Sequence, residues 1–275
     1  IDQINSKHNT SLETYNDLHK WSVDNISEFW EETLGYTEII YSGQYDTVID
    51  QPNTEPGIKW FQGLSLNFAE NLLKHRDDRP AIISKIEDHP AKTITYSQLF
   101  KEVEKLASSL RGLGLKKGDR VAGFLPNIPE AVIAMLATAS IGAIWSSSSP
   151  DFGIKSVTDR FSQIEPKIIF SASAYLYNGK SFISLDKLKE IIKELPTLEH
   201  VIIVDYLNVE TDISEVPNSV TYEDILSNDP QPLTFEYVPF DHPLYILYTS
   251  GTTGLPKSIV HGTGGTLIQH KKEFL

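Results

Sequence analysis

The chain has 275 residues, enough for a sizeable core in one or two domains, with 40% hydrophobic residues, a net charge of −13 and a pI near 5.0. No run of Lys or Arg exceeds two residues, so this acidity argues against nucleic acid or an anionic membrane as partner and makes any anion site a local one. The absence of cysteine excludes disulfides, thiolate nucleophiles and thiolate metal sites, and the longest apolar stretch, residues 131–145, is shorter than the ~20 residues a membrane span needs.

No secretory signal precedes Asp2, the single methionine is Met135, and residues 271–275 carry no helix-ending signal. A cytoplasmic enzyme, of which this is a fragment, is the expectation. Residues 1–20 are polar and read as loose. From Trp21 the pattern changes: Asn25-Ile-Ser-Glu28 is a capping-box-like start, Ile26, Phe29, Trp30 and Leu34 fall on one helical face, and Gly35 is the expected stop. Trp21, Trp30 and Trp60 read as packing anchors of an N-terminal cap. Residues 51–57 form a turn-rich connector, which places a boundary between a cap (1–57) and the remainder (58–275).

Residues 79–83 read as a strand. Thr95 and Gln98 make a capping box, and Leu99, Val103, Leu106, Leu110 and Leu113 repeat at steps of three and four until Gly112 and Gly114 end the helix. A charged turn leads into strand 121–125, helix 129–142 and strand 143–145. Ser146-Ser-Ser-Ser-Pro-Asp-Phe-Gly153 is read as a loop. It has the composition of a flexible linker, but it follows a buried strand, and ligands of α/β sheets sit beyond strand carboxyl ends. Helix 154–164, strand 167–171, helix 184–195 and strand 201–204 follow. This βαβα rhythm predicts an α/β fold with a doubly wound, largely parallel sheet. Residues 205–243 are acidic and carry Pro230, Pro232, Pro239 and Pro243; they read as surface excursions with a short helix at 222–226.

Residues 244–248 and 259–260 are apolar or β-branched, so strands should flank Thr249-Ser-Gly-Thr-Thr-Gly-Leu-Pro-Lys257. Gly251 and Gly254 let N–H groups converge on an anion, Thr249, Ser250, Thr252 and Thr253 add hydroxyl donors, and Lys257 supplies charge. That composition suits phosphate groups. The spacing also approaches a GxxxxGK[ST] loop, but Pro256 stands where that motif needs glycine, and strand rather than helix follows. The eight histidines are scattered, with no HxxxH or HExxH pair, so no metal site is apparent.

The string Tyr248-Thr-Ser-Gly-Thr-Thr-Gly-Leu-Pro-Lys257 resembles the phosphate loop of the adenylate-forming enzymes, which include acyl-CoA synthetases, peptide-synthetase adenylation domains and luciferases. Residues 60–73, where a tryptophan-bearing cap leads into Leu66-Asn-x-x-x-Asn71, resemble the acetyl-CoA synthetase branch. The stretches 145–153 and 256–270 are similar to its acetoacetate-activating members. Most relatives carry Gly or Ala after the loop lysine and this chain carries Ser258, which is taken to fit the acetoacetate pattern. The resemblance implies the first part of an AMP-binding domain. It implies ATP-dependent activation of acetoacetate to acetoacetyl-AMP, with Mg2+ arriving with ATP, release of pyrophosphate whose charge Lys257 offsets, and transfer to coenzyme A.

It also implies that Trp145, Ser149, Phe152 and Gly153 approach the pantetheine of coenzyme A, and that His261, Gly264 and Gly265 lie near the acyl pocket. A lone histidine is more often structural, and two small residues also suit a packed helix start. The family's adenine, ribose and acyl-phosphate contacts have no counterpart before Leu275, so this piece alone should not turn over. Acetyl-CoA or another short-chain acyl-CoA synthetase, a luciferase or peptide-synthetase adenylation enzyme, and a nucleotide-binding module without chemistry of its own stay open.

Overall fold

The structure, a computed structural model, describes residues 1–50, 57–87, 89–207, 212–226, 229–249 and 254–274. Contacts divide the chain into two compact units. One comprises Ile1–Leu66, Tyr237–His242 and Gly262–Leu275; the other comprises Asn67–Glu236 and Pro243–His261. The expected connector at 51–56 lies outside the described residues.

The first unit opens with α1 (Asp2–His8), α2 (Tyr15–Asp24) and α3 (Ile26–Tyr36), followed by β1 (Tyr41–Ser42) and β2 (Ser65–Leu66). Residues 1–20 are therefore not loose. Their order comes from polar groups that apolar periodicity does not register. Asn5 accepts from Leu12 N and Thr10 Oγ1 and donates to Leu12 O, each at 2.8 Å, which folds the turn after α1. Thr14 and Asp17 form a reciprocal capping box on α2. On α3, Glu32 accepts from Lys7 at 2.9 Å and Gln3 at 3.2 Å, with His8 Nε2 at 3.2 Å. The expected cap of α3 is absent, because Asn25 turns its amide back to Trp21 O at 2.9 Å. Gly35 lies within the helix, which continues one residue to Tyr36.

The second unit continues with α4 (Phe68–Leu72), β3 (Pro80–Ser84), β4 (Lys92–Thr95), α5 (Tyr96–Gly112), β5 (Arg120–Phe124), α6 (Pro129–Ser140), β6 (Ile144–Ser148) and α7 (Ile154–Phe161). Then come β7 (Ile168–Ala172), β8 (Ala174–Tyr177), β9 (Lys180–Ile183), α8 (Leu185–Lys193), β10 (His200–Val204), β11 (Ser219–Thr221) and α9 (Tyr222–Ile225). The chain returns to the first unit for β12 (Val238–Pro239), which with β1 brackets β2 in an antiparallel three-stranded sheet. It forms β13 (Pro243–Tyr248) and β14 (Ser258–Gly262) in the second unit's sheet and ends with α10 (Thr263–Glu273).

The large sheet has the order β11-β10-β7-β5-β6-β13-β14, and β5, β6, β7, β10, β11 and β13 pair in parallel. It is the doubly wound, mostly parallel α/β sheet that the alternation of elements implies. Runs such as Ile168-Ile-Phe170 and Val201-Ile-Ile-Val204 are buried end to end, as strands covered on both faces require. The chain steps from β5 to β6 on one side and from β6 to β7 on the other, so right-handed crossovers put α6 and α7 on opposite faces. Helix α5 has the Thr95–Gln98 capping box and buries Leu99, Val103, Leu106 and Leu110.

Further departures from the sequence reading lie in the second unit. Ser146 to Ser148 are strand rather than loop, paired in register with Ala122 to Phe124 of β5, and the buried Ser146 hydroxyl donates to Ile246 O of β13 at 2.8 Å. Pairing on both sides overrides the low strand propensity of serine. The antiparallel hairpin β8–β9 turns at Asn178-Gly179, both at positive φ, and was not foreseen although Asn-Gly is a strong hairpin signal.

Candidate functional site

Because β5, β6, β7, β10 and β13 run parallel, their last residues, Phe124, Ser148, Ala172, Val204 and Tyr248, lie along one edge of the sheet. Adjacent strands β6 and β13 release the loops 149–153 and 249–257 there. This is the position at which open α/β sheets take ligands, beside strands whose connections diverge to opposite faces.

Of the residues expected to bind phosphate, Thr249, Gly254 and Lys257 are described, whereas Ser250, Gly251, Thr252 and Thr253 lie outside the described residues. The base of the loop is closed by Thr249 N donating to Lys257 O at 3.1 Å. Thr249, Gly254 and Lys257 are all exposed, and Lys257 makes no ion pair with any described residue. The strand ahead of the loop is anchored by Tyr248, whose hydroxyl donates to Arg160 O on α7 at 2.9 Å. Burial pushes the Tyr248 phenol above its usual range, against the opposing influence of Ser146 and the Arg160 guanidinium, so it remains a neutral donor at physiological pH.

Arg160 is a residue that sequence reasoning missed. Its guanidinium lies 5.0 Å from the centre of the Phe152 ring and 5.8 Å from that of Tyr248, bridging the two loops by cation–π contacts. Its link to Tyr248 spans 88 positions, which no local pattern in the sequence marks.

Among the residues expected near coenzyme A, Ser149 is half-buried and donates to Asp151 Oδ2 at 3.1 Å, Phe152 is exposed, and Gly153 is the N-cap residue of α7. Trp145 is set apart from them. It is buried within β6, its ring 6.2 Å from Phe170 and so close above Gly123 that a methyl there would meet it at 2.6 Å. His261 sits inside β14 rather than past its end, its ring 5.1 Å from Tyr245.

Gly264 and Gly265 belong to the first unit, in the first turn of α10. A side chain at Gly264 would run into the Phe240 ring at 2.3 Å, so that glycine serves close packing. Gly265 is exposed and lines an apolar cavity of about 210 Å³ with Trp30, Trp60, Phe61, Phe240 and Ile268. Trp30 and Trp60 meet edge to face there at 6.0 Å. No cluster of three or more His, Asp or Glu side chains suited to a metal occurs among the described residues. None of their helices is long and apolar enough to cross a membrane.

The chain belongs to the AMP-binding enzyme family, whose pattern matches residues 68–272; that of the acetyl-coenzyme A synthetase N-terminus matches residues 15–72. By class it is an AMP-binding enzyme segment preceded by an N-terminus of the acetyl-coenzyme A synthetase type. Within that class it is a homologue of acetoacetyl-CoA synthetases. It is 48% identical to the acetoacetyl-CoA synthetase of Macaca fascicularis over 96% of this chain and 41% of that protein. It is 44% identical to the malonamoyl-CoA synthetase vrtB of Penicillium aethiopicum over 100% of this chain and 40% of that protein. The solved acetoacetyl-CoA synthetase from Streptomyces lividans superposes with a TM-score of 0.91 at 42% identity, over 98% of this chain and 42% of that one. The chain thus spans about two fifths of the length of the relatives it matches.

Proposed function

We propose that the protein containing this chain is an acetoacetate–CoA ligase. A carboxylate oxygen of acetoacetate attacks the α-phosphorus of ATP and pyrophosphate leaves; the thiol sulfur of coenzyme A then attacks the acyl carbon, AMP leaves and the thiol proton passes to solvent. The observation that carries the reading is the loop 249–257 at the carboxyl end of β13, with Lys257 exposed and in no ion pair among the described residues. In this role the amides and hydroxyls from Thr249 to Gly254 bind ATP phosphates, and Lys257 offsets charge on the departing pyrophosphate. Magnesium enters bound to ATP. Ser149, Phe152 and Gly153 are assigned to the approach of coenzyme A, whereas Trp145 packs inside the sheet over Gly123. His261 is assigned to the acyl side; Gly264 and Gly265 belong to the other unit, where Gly264 packs under Phe240.

The cap (1–57), the adenylation portion (58–275) and a cytoplasmic location belong to the same proposal, as do adenine, ribose and acyl-phosphate contacts supplied by segments beyond the match. The chain by itself is accordingly expected to form no acyl-CoA.

Similarity to a malonamoyl-CoA synthetase supports a second reading. Acetoacetate and malonamate both carry a carbonyl two carbons from the carboxylate and differ in a terminal methyl against an amino group. One donor to that carbonyl serves both acids, whereas the amino group also needs an acceptor. The test measures kcat/KM of the full-length protein for acetoacetate, malonamate, acetate and butyrate. Acetoacetate should exceed acetate and butyrate by about a hundredfold or more, since an acid lacking the carbonyl leaves a buried donor unpaired. Preference for malonamate would favour the second reading, and equality with acetate or butyrate would leave only the broader ligase class.

A further inference from the structure

Lys257 stands between two residues gripped by one side chain. Gln163, two positions past α7, donates from Nε2 to Pro256 O at 3.0 Å and accepts at Oε1 from Ser258 Oγ at 2.8 Å. Its other amide hydrogen goes to Asp159 O, one turn back, at 2.6 Å. Both N–H groups are thereby used and the oxygen faces the one hydroxyl. Flipped, the oxygen would confront two carbonyls, so the network admits a single orientation. The same end of α7 holds the other side of the loop through Arg160 O and the Tyr248 hydroxyl.

Gln163 and Ser258 are exposed, where hydrogen bonds add little to folding stability. What they fix is direction. A lysine side chain has four rotatable bonds, and the region its ammonium reaches is set by the backbone at its own Cα. Holding the residues on either side narrows that region before any phosphate arrives, which is the ordering that makes an electrostatic contact effective in a transition state.

We propose that Gln163 is a positioning residue for Lys257, with Ser258 as its partner. The proposal rests on the reading of Lys257 as a ligand of ATP phosphate. It gives Ser258 a task that glycine or alanine at this position cannot perform, independent of the acid substrate.

The experiment compares K257A, Q163A, S258A, S258T and the double variant Q163A/S258A in the full-length protein. Two half-reactions are measured, ATP–pyrophosphate exchange and thioester formation from supplied acetoacetyl-adenylate, together with Tm. K257A should slow exchange. Q163A and S258A should each slow exchange about tenfold or more, the scale of a small misplacement. The double variant should be no slower than the worse single, because both remove one shared clamp. S258T, which keeps the hydroxyl, should recover the rate lost in S258A. Thioester formation and Tm should stay at wild-type values.

If K257A slows exchange while Q163A and S258A do not, the positioning role is wrong and Lys257 keeps its assignment. If K257A leaves exchange unchanged, the reading of Lys257 fails and the role of Gln163 fails with it. Equal losses in both half-reactions with a lowered Tm, or multiplicative losses in the double variant, would also overturn the clamp.

Discussion

Asn67 is wholly buried, and its side chain joins three separate stretches of the second unit. Its amide donates to Glu236 O at 2.8 Å, Ala139 O at 3.0 Å and Ser140 O at 3.3 Å, while its oxygen accepts from Glu70 N at 3.2 Å and caps α4. Asn67→Ala removes a helix cap and the side-chain links to Ala139 O, Ser140 O and Glu236 O, while Gly142 N and Glu236 N still serve the two buried carbonyls, and should cost about 1–2 kcal/mol. Urea unfolding should show a lower midpoint at an unchanged m-value. At this scale the site was legible where its residues are contiguous, as in 249–257, and opaque where they are not. Gln163 and Arg160 reach the loop across 93 and 88 positions, and neither residue type nor spacing marks them.

Among the elements, α5 was readable because both of its determinants are local, a reciprocal cap and an apolar stripe at helical spacing. Helices α1 and α2 were not, since α1 buries only Ile4, α2 buries nothing, and their support is polar and partly distant. That support predicts a pH response. Burial alone would raise the Glu32 carboxyl, but hydrogen bonds from Lys7, His8 and Gln3 outweigh it and hold the group below its ordinary 4.5. A depressed folded-state pKa gives stability that is present above about 4.5 and is lost as pH falls through the lower folded value. Between the wild type and E32Q, the stability difference should therefore shrink on acidification below about 4.5. Denaturant titrations monitored by tryptophan fluorescence, with Trp21 5.1 Å from His8, report it. A gap that persisted unchanged to pH 3 would remove the charge-based account of this contact.

Across the whole molecule, the first unit is assembled from three stretches that no local pattern groups together. Within it β2 pairs with β12, Phe61 meets Phe240 at 5.0 Å, and Phe240 closes over Gly264. Removing residues 1–66 would leave β12 without its strand partner and uncover Phe240, which meets Phe61, and Ile268, which lines a cavity with Trp30 and Trp60. The truncated chain should bind a hydrophobic dye or precipitate where the intact chain does neither, as light scattering and dye fluorescence would record. The alternation that gave the parallel sheet was visible because each βα step is short-range. The partition of the chain was not, because it is set by contacts between its beginning and its last forty residues.

The serines of β6 acquire a further meaning when the order of synthesis is considered. Strand β6 has its neighbour β5 earlier in the chain, but its other neighbour, β13, is synthesised only 100 residues later. At a ribosomal pace of about 5–20 residues per second, that flank stays open for roughly 5–20 s. A Val or Ile run would offer passing nascent chains a template during the wait. Ser146-Ser-Ser148 keeps the waiting flank hydrophilic, and the Ser146 hydroxyl then meets the Ile246 carbonyl when β13 arrives.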